Sequence, residues 1–442
     1  MKKNLVSLMS LTLLVGLVSL TSCKKENTLG NGTQFRATVE DCTSQNGKTA
    51  LDGFNLNWVA GDQIAIYGTS GPGIYSATPQ TPATVAVFDN VSGETGDGPF
   101  RAFYPSTLTT DGVNITLPTT QTYVEGSINE FPMYAESNDN QLSFKNLCGV
   151  LKLDLTKANI NISSITITAN APISGDFAVD NTTGTPILSD GNGTNTVTLN
   201  CATAQSISSG KVFYIALPAT QVLGISLYTD DGRVCEKVVK STVQLTIDRN
   251  TINTVTFGEN DMEFVTVMSS DEPFHSNRLP MDVYYNYSYA QQLLLSSEMS
   301  GEAVVTGIDF YFEGEGVSSR NITVYLTNTT TSSLTSGFVT FDNTTFQQVY
   351  QGSWSFHSGW SHLEFDTPFT YDGSSNLLIT VHDITGTFQS RKNFRVHSVE
   401  GGLARAVSND GLSYNPATIS TTTGNVLDFR NDMRLYYDDS AK

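Results

Sequence analysis

Apolar and polar positions along the chain alternate with period two over many short stretches, and through residue 257 no amphipathic helix stands out. The alternation in Gln34-Phe35-Arg36-Ala37-Thr38-Val39 predicts a first strand. In 56–67, Gly61-Asp62 forms a tight turn between two apolar runs and lets Trp58, Ile64 and Ile66 face one core. FRAFYP at 100–105 and VNITLP at 113–118 are short strands, each stopped by proline. After FPMYA at 131–135, the run 142–155 ends with Leu151, Leu153 and Leu155 alternating against Val150, Lys152 and Asp154. Strand signals continue at Ile160, Ile162, Ile165 and Ile167, at 197–199, at 212–217 and at 225–228. Asp231-Gly232 then marks a hairpin, and 245–250 and 252–257 close the series. Beyond residue 279 the strands are 304–312, 320–326, 338–341, 347–350, 360–365, 376–381, 394–396 and 433–437. Many short strands separated by turn signals predict an all-β protein of packed sheets.

The pattern divides the 442 residues into segments. Residues 1–22 are a leader and 23–32 a polar tether. A first β-sandwich is expected over 33–158 and a second over 159–258. Residues 259–278, with Glu259, Asp261, Glu263, Asp271 and Glu272, read as an acidic linker, and 279–438 as a third β-sandwich.

Composition narrows the partners. Lys and Arg number 24 against 43 Asp and Glu, a net charge of −19, so the chain repels phosphate backbones and nucleic acid is not an expected partner. Charged residues make up only 15%, with Thr, Ser, Asn, Gly and aromatics in their place, which suits turn-rich sheets. Beyond the leader no stretch approaches the roughly 20 apolar residues of a membrane-spanning helix.

The leader carries the clearest chemistry. Lys2 and Lys3 precede an apolar run over 5–20, and Leu20-Thr21-Ser22-Cys23 closes it. That closing set resembles a lipobox, where signal peptidase II cuts and Cys23 receives a lipid. A thiol is required there because the diacylglycerol is attached through a thioether. Each buried CH2 contributes roughly 0.8 kcal/mol, so several acyl chains anchor the protein durably. Everything downstream is then exported. Cys42, Cys148, Cys201 and Cys235 remain, and an oxidising compartment permits two disulfides in three connectivities, although Cys148 sits in an apolar run that suits a buried thiol.

A succession of motifs carries a resemblance: Trp58…Gly61-Asp62…Ile66-Tyr67, FRAFYP, Leu117-Pro118 with Gln121 and Tyr123, FPMYA, FKNLCGVLKLDLT, ISGDF, FYIALP and IDRNTINTVTF. In that order it resembles the fimbrillin-like outer-membrane lipoproteins over 33–257. The resemblance implies two tandem transthyretin-like β-sandwiches in a surface or fimbrial protein. It also implies polymerisation in some members, where a protease removes the first strand after a basic residue and a neighbour's strand fills the groove. Arg36 is the candidate cut site. Residues 279–438 resemble jelly-roll modules of cleaved-adhesin type. Such modules bind proteins or glycans, sometimes with a structural Ca²⁺, for which Asp342-Asn343 and Asp372-Gly373 are candidate loops.

The candidate ligand-stacking residues are Trp354, Trp360, Tyr284 and Tyr285, because sugar CH faces pack on aromatic rings. Of the five histidines, His382 stands beside Asp383, yet no Gly-x-Ser-x-Gly elbow accompanies them and a catalytic role is not expected. The expected function is non-covalent. It is that of a lipid-anchored cell-surface outer-membrane protein acting in adhesion or fimbrial anchoring, touching fimbrial subunits, surface proteins or glycans. The alternatives are glycan capture for a polysaccharide-uptake system and a hydrolase carried on 279–438.

Overall fold

A computed structural model describes residues 34–44, 56–79, 81–155, 160–238, 245–258, 262–299, 301–389 and 393–438. Strands dominate, and among the described residues the helical turn is a single 3-10 turn at Ser296–Glu298. The leader, Cys23 and the tether lie outside the described residues.

In Phe35–Val39, Phe35 and Ala37 are buried and Arg36 points outward, as alternation on a half-buried strand requires. This strand pairs parallel to Gln141–Asn146 and antiparallel to Val85–Ser92. It thereby closes a seven-stranded barrel with Met133–Ser137, Phe100–Tyr104, Gln63–Tyr67 and Gly73–Ala77. Phe35 meets Tyr75 and Phe100 edge-on, each with ring centroids 5.0 Å apart. Trp58 packs edge-on against Phe88, Tyr104 and Phe144. This is the geometry in which aromatic quadrupoles attract.

The second unit starts earlier than its expected boundary at 159. Gly149–Leu155 pairs with Lys211–Leu217 and Thr251–Phe257, and buries Leu151, Leu153 and Leu155 against Ile162, Ile165, Ile167 and Leu227 of the facing sheet. In that sheet Asn161–Ala169 lies between Thr196–Ser206 and Thr220–Thr229. The alternation of 149–155 was legible; its partners, some sixty to a hundred residues on, were not. The first two units also exchange strands. Asn114–Leu117 pairs with Ser174–Asp180, Thr120–Val124 with Thr196–Ser206, and Thr43–Ser44 with Thr251–Phe257. Glu40 ties the same joint, accepting from Arg249 Nη1 at 2.7 Å while Arg249 also donates to the Asn146 carbonyl at 2.6 Å.

The expected linker over 259–278 contains two strands. Val265–Met268 pairs with Met433–Tyr437 and reaches Val234 of the second unit, while Phe274–Ser276 pairs with Phe394–Ser398. The acidic flanks masked the run Phe264-Val265-Thr266-Val267-Met268, in which Phe264, Val265 and Met268 are buried. Arg233, 2% exposed, lies over the rings of Phe264 and Tyr437, so a packed joint connects the second unit to the third.

The third unit is built on a bent ribbon of two long strands, Glu302–Thr329 and Gln347–Asp372. One half of the ribbon, 302–312 with 359–372, joins Met433–Tyr437 in one sheet. The other half, 317–326 with 347–357, joins Asn376–Asp383, Tyr287–Leu294 and Ala404–Asn409 in the facing sheet. Ile308, Phe310 and Phe312 from one sheet pack with Ile322, Val324 and Val381 from the other. A two-strand ribbon crossing between facing sheets is the jelly-roll arrangement expected here.

Phe35→Ala should destabilise the barrel by about 3–5 kcal/mol, whereas Arg36→Ala should stay within about 0.5 kcal/mol, as read by urea unfolding of the full chain. A second expectation concerns acid. Burial alone raises the Glu40 pKa, but Arg249, the Asn146 N–H and Lys145 outweigh it and hold the carboxyl below its usual value. Its contribution is therefore fully present above about pH 4.5 and lost as pH falls through the lowered folded value. Acid loosening of the joint between the first two units, measured by hydrogen exchange of 43–44 and 251–257, should be blunted in Glu40→Gln.

Candidate functional site

Three loops meet at one end of the third unit. Tyr287–Leu294 begins there, and Asn376–Asp383 and Ala404–Asn409 end there, with Ser288 opposite Asp383 and Tyr287 opposite Asn409. The loops are 282–286, 384–389 and 410–414. Beneath them lies a buried ion pair, Arg320 with Asp383, both side chains 0% exposed. Arg320 Nε donates to Asp383 Oδ2 at 2.8 Å and Nη2 donates to the Tyr285 carbonyl at 2.8 Å. Nη1 donates to the carbonyl of Thr387. A planar fork of donors is what reaches two loops and a carboxylate at once. The other Asp383 oxygen accepts from Thr385 N at 3.0 Å and from its hydroxyl at 2.6 Å.

Main-chain bonds complete the knot. Gly386 N donates to Asn286 O at 2.9 Å and Gln389 N to Val283 O at 2.7 Å. Asn286 donates from N and Nδ2 to Asp410, at 3.2 and 3.0 Å. Asn409 Oδ1 accepts from Gly411 N and Leu412 N. Beside the exposed Thr387, Asp410 and Ser413, the loops present apolar side chains outward. Tyr284 is 55% exposed, Phe388 64%, Leu412 81% and Ile384 37%. Tyr284 lies edge-on to Tyr285 at 5.8 Å and tilted to Phe388 at 6.4 Å.

Of the expected stacking residues, Tyr284 and Tyr285 stand in this cluster and the tryptophans do not. Trp354 belongs to the core: it is 4% exposed, packs against Phe310, Phe356 and Phe394, and donates from Nε1 to the His362 carbonyl at 2.9 Å. Its strand alternates inward at 354 and 356, which removes it as a sugar platform. Trp360 is half-buried on the outer face of the other sheet, edge-on to Tyr311 at 5.2 Å and covered by Arg434 at 4.2 Å. Arg395 covers Tyr311 at 3.8 Å, so arginine and aromatic rings alternate along this face. Beside them, His362 Nδ1 lies 2.8 Å from Asp309 Oδ1, while Tyr436 donates to Oδ2 at 2.7 Å. The Asp309 hydrogen bond raises the His362 pKa.

Neighbours in sequence, His382 and Asp383 point to opposite faces of their strand. His382 Nε2 lies 3.0 Å from Ser413 Oγ, whereas Asp383 is held by Arg320. Burial drives His382 down to about 4, so the ring is neutral at pH 7 and a weak base. The three residue types of a triad are therefore present without its chain of contacts. The candidate Ca²⁺ loops bind their own turns. Asp342 accepts from Thr344, and Asp372 accepts from Ser374 N and Ser375 N, which hold it down at about 2. Arg36 is exposed on the outer face of the barrel, inside a strand bonded along both edges. Cys42, Cys148 and Cys201 are free thiols, so the two-disulfide arrangement is not formed; burial pushes Cys42 up to about 12.

Phe388, Leu412, Ile384 and the Arg320–Asp383 pair escaped the sequence reading. Lone large apolar residues inside turn-rich stretches, Thr387-Phe388-Gln389 and Asp410-Gly411-Leu412-Ser413, were the available signal.

No family model matches the chain, and no curated protein does. Similar solved structures include a candidate cell adhesion protein from Bacteroides ovatus, 14% identical with TM-score 0.33, covering 52% of this chain and 94% of that one. A fimbrial protein from Bacteroides ovatus is 11% identical with TM-score 0.25, covering 51% of this chain and 49% of that one. The tip fimbrial protein Mfa3 from Porphyromonas gingivalis, truncated at its C-terminus, is 11% identical with TM-score 0.20, covering 52% and 98%.

Arg320→Met should cost about 3–5 kcal/mol by leaving Asp383 buried and uncompensated. Hydrogen exchange should quicken first in 384–389, and adding Asp383→Leu should restore most of the loss in thermal unfolding.

Proposed function

We propose that the chain is a surface-displayed adhesion protein, held to the outer membrane through a lipid on Cys23, that binds its partner non-covalently through the loop end of its third unit. The observation that carries this reading is the set of outward apolar side chains on three loops, backed by a buried ion pair. Among the described residues of 279–438, five large hydrophobic side chains are exposed and four of them belong to these loops, a concentration that marks a contact surface. Four side chains are far fewer than the roughly 20–30 residues a side of a standard interface. A single contact is therefore weak, and many tethered copies supply the strength.

The first strand supports an anchoring or tip role over that of a shaft subunit. Phe35–Val39 is hydrogen-bonded on both edges and keeps Phe35 in the barrel core. A protease cutting after Arg36 has to draw that strand out of the barrel first. A chain that retains it occupies its own groove and serves at the end of an assembly or alone.

Protease added to intact cells should digest the protein. Protection until the outer membrane is broken would sink surface display. Phe388→Ser and Tyr284→Ser together should abolish attachment of protein-coated particles to target cells with no change in thermal unfolding.

A further inference from the structure

Resting on the adhesion reading, we infer that the partner of the loop end is the interfacial region of a lipid bilayer, into which Tyr284, Ile384, Phe388 and Leu412 insert. Three observations carry the choice. The tips project: Leu412 is 81% exposed and Phe388 64%, values that a side chain lining a pocket does not reach. A pocket-type site is concave and surrounds its ligand, and these side chains surround nothing.

The composition of the tips comes second. Sugar recognition uses flat aromatic faces beside converging polar groups. Here two of the four side chains are aliphatic. Among the described residues of the three loops, 282–286, 384–389 and 410–414, the formal charges are Asp282, which is buried, and Asp410. The Asp410 carboxylate is already accepting from Asn286 N. On the described tips the exposed formal charge is Asp410.

Main-chain bonding is the third observation. An irregular loop enters a low-dielectric region only if its N–H and C=O groups have partners inside the protein. The carbonyls of Tyr285 and Thr387 accept from Arg320, and those of Val283 and Asn286 accept from Gln389 N and Gly386 N. The amides of Gly411 and Leu412 donate to Asn409. These bonds lower the cost of bringing the loops against a bilayer. Tyr284, with an apolar ring and a polar tip, suits the headgroup boundary, with Phe388 and Leu412 deeper.

The test uses the full chain with Leu412→Trp and vesicles of phosphatidylcholine, a lipid without net charge. The emission of this residue should shift to the blue on vesicle addition and be quenched by brominated phosphatidylcholine. The same measurement on the parent chain should show neither, since Trp58 and Trp354 are buried and Trp360 lies on another face. Adding Phe388→Ser should weaken partition about ten-fold, while Leu223→Ser, an exposed position in the second unit, should leave it unchanged. No shift and no quenching, with cell attachment still lost in Phe388→Ser, would overturn the bilayer as partner. It would assign the loop end to a protein or glycan and leave the adhesion reading standing. Cell attachment unchanged in Phe388→Ser, again without quenching, would overturn both.

Discussion

Strand edges carry rows of N–H and C=O groups, and burying them unpaired costs about as much as the hydrogen bonds they would make. Among the described residues helix is confined to one short turn, so every sheet must find partners for its edges, and the structure follows from where they are found. The barrel closes because Phe35–Val39 fills the gap between Gln141–Asn146 and Val85–Ser92. The second unit is tied to the first because Thr43–Ser44 and Thr120–Val124 add to its sheets. The third is joined to the second because Val265–Met268 lies along Met433–Tyr437 and touches Val234. Continuity of hydrogen bonding turns three units into a chain of packed neighbours where an acidic linker was expected between the second and the third.

The same requirement shapes the loop end. Loops are where pairing stops, so their polar groups need side-chain partners or water. Arg320 and Asp383 take that role, at the expense of burying two charges. A buried ion pair is weak as a source of stability and effective as a fixing device, because a misplaced partner leaves a charge uncompensated. Fixing 282–286 and 384–389 to one pair lets apolar side chains stand in water without collapsing inward.

Elsewhere polar clusters serve the joints. Glu40 with Arg249 holds the first two units together, and Arg434 donates to Glu236 at 2.8 Å across the next joint while covering Trp360. Trp360, conspicuous in sequence as a binding residue, is thus occupied by an internal cation. Aromatic residues on strands divide between core and surface according to register, and register depends on partners.

Period-two alternation sufficed for the all-β class and for most strands, because side-chain direction on a strand is a local property. Phe35, Leu151, Ile165 and Phe310 face inward as their neighbours dictate. The unit boundaries, the two strands within the supposed linker, the burial of Trp354 and the meeting of Arg320 with Asp383 were decided only by tertiary structure. Each depends on residues distant in sequence: 63 positions separate Arg320 from Asp383, and 171 separate Thr266 from the Tyr437 hydroxyl it meets. A pattern read along the chain records which way a side chain points, whereas what it meets is set by the pairing of sheets.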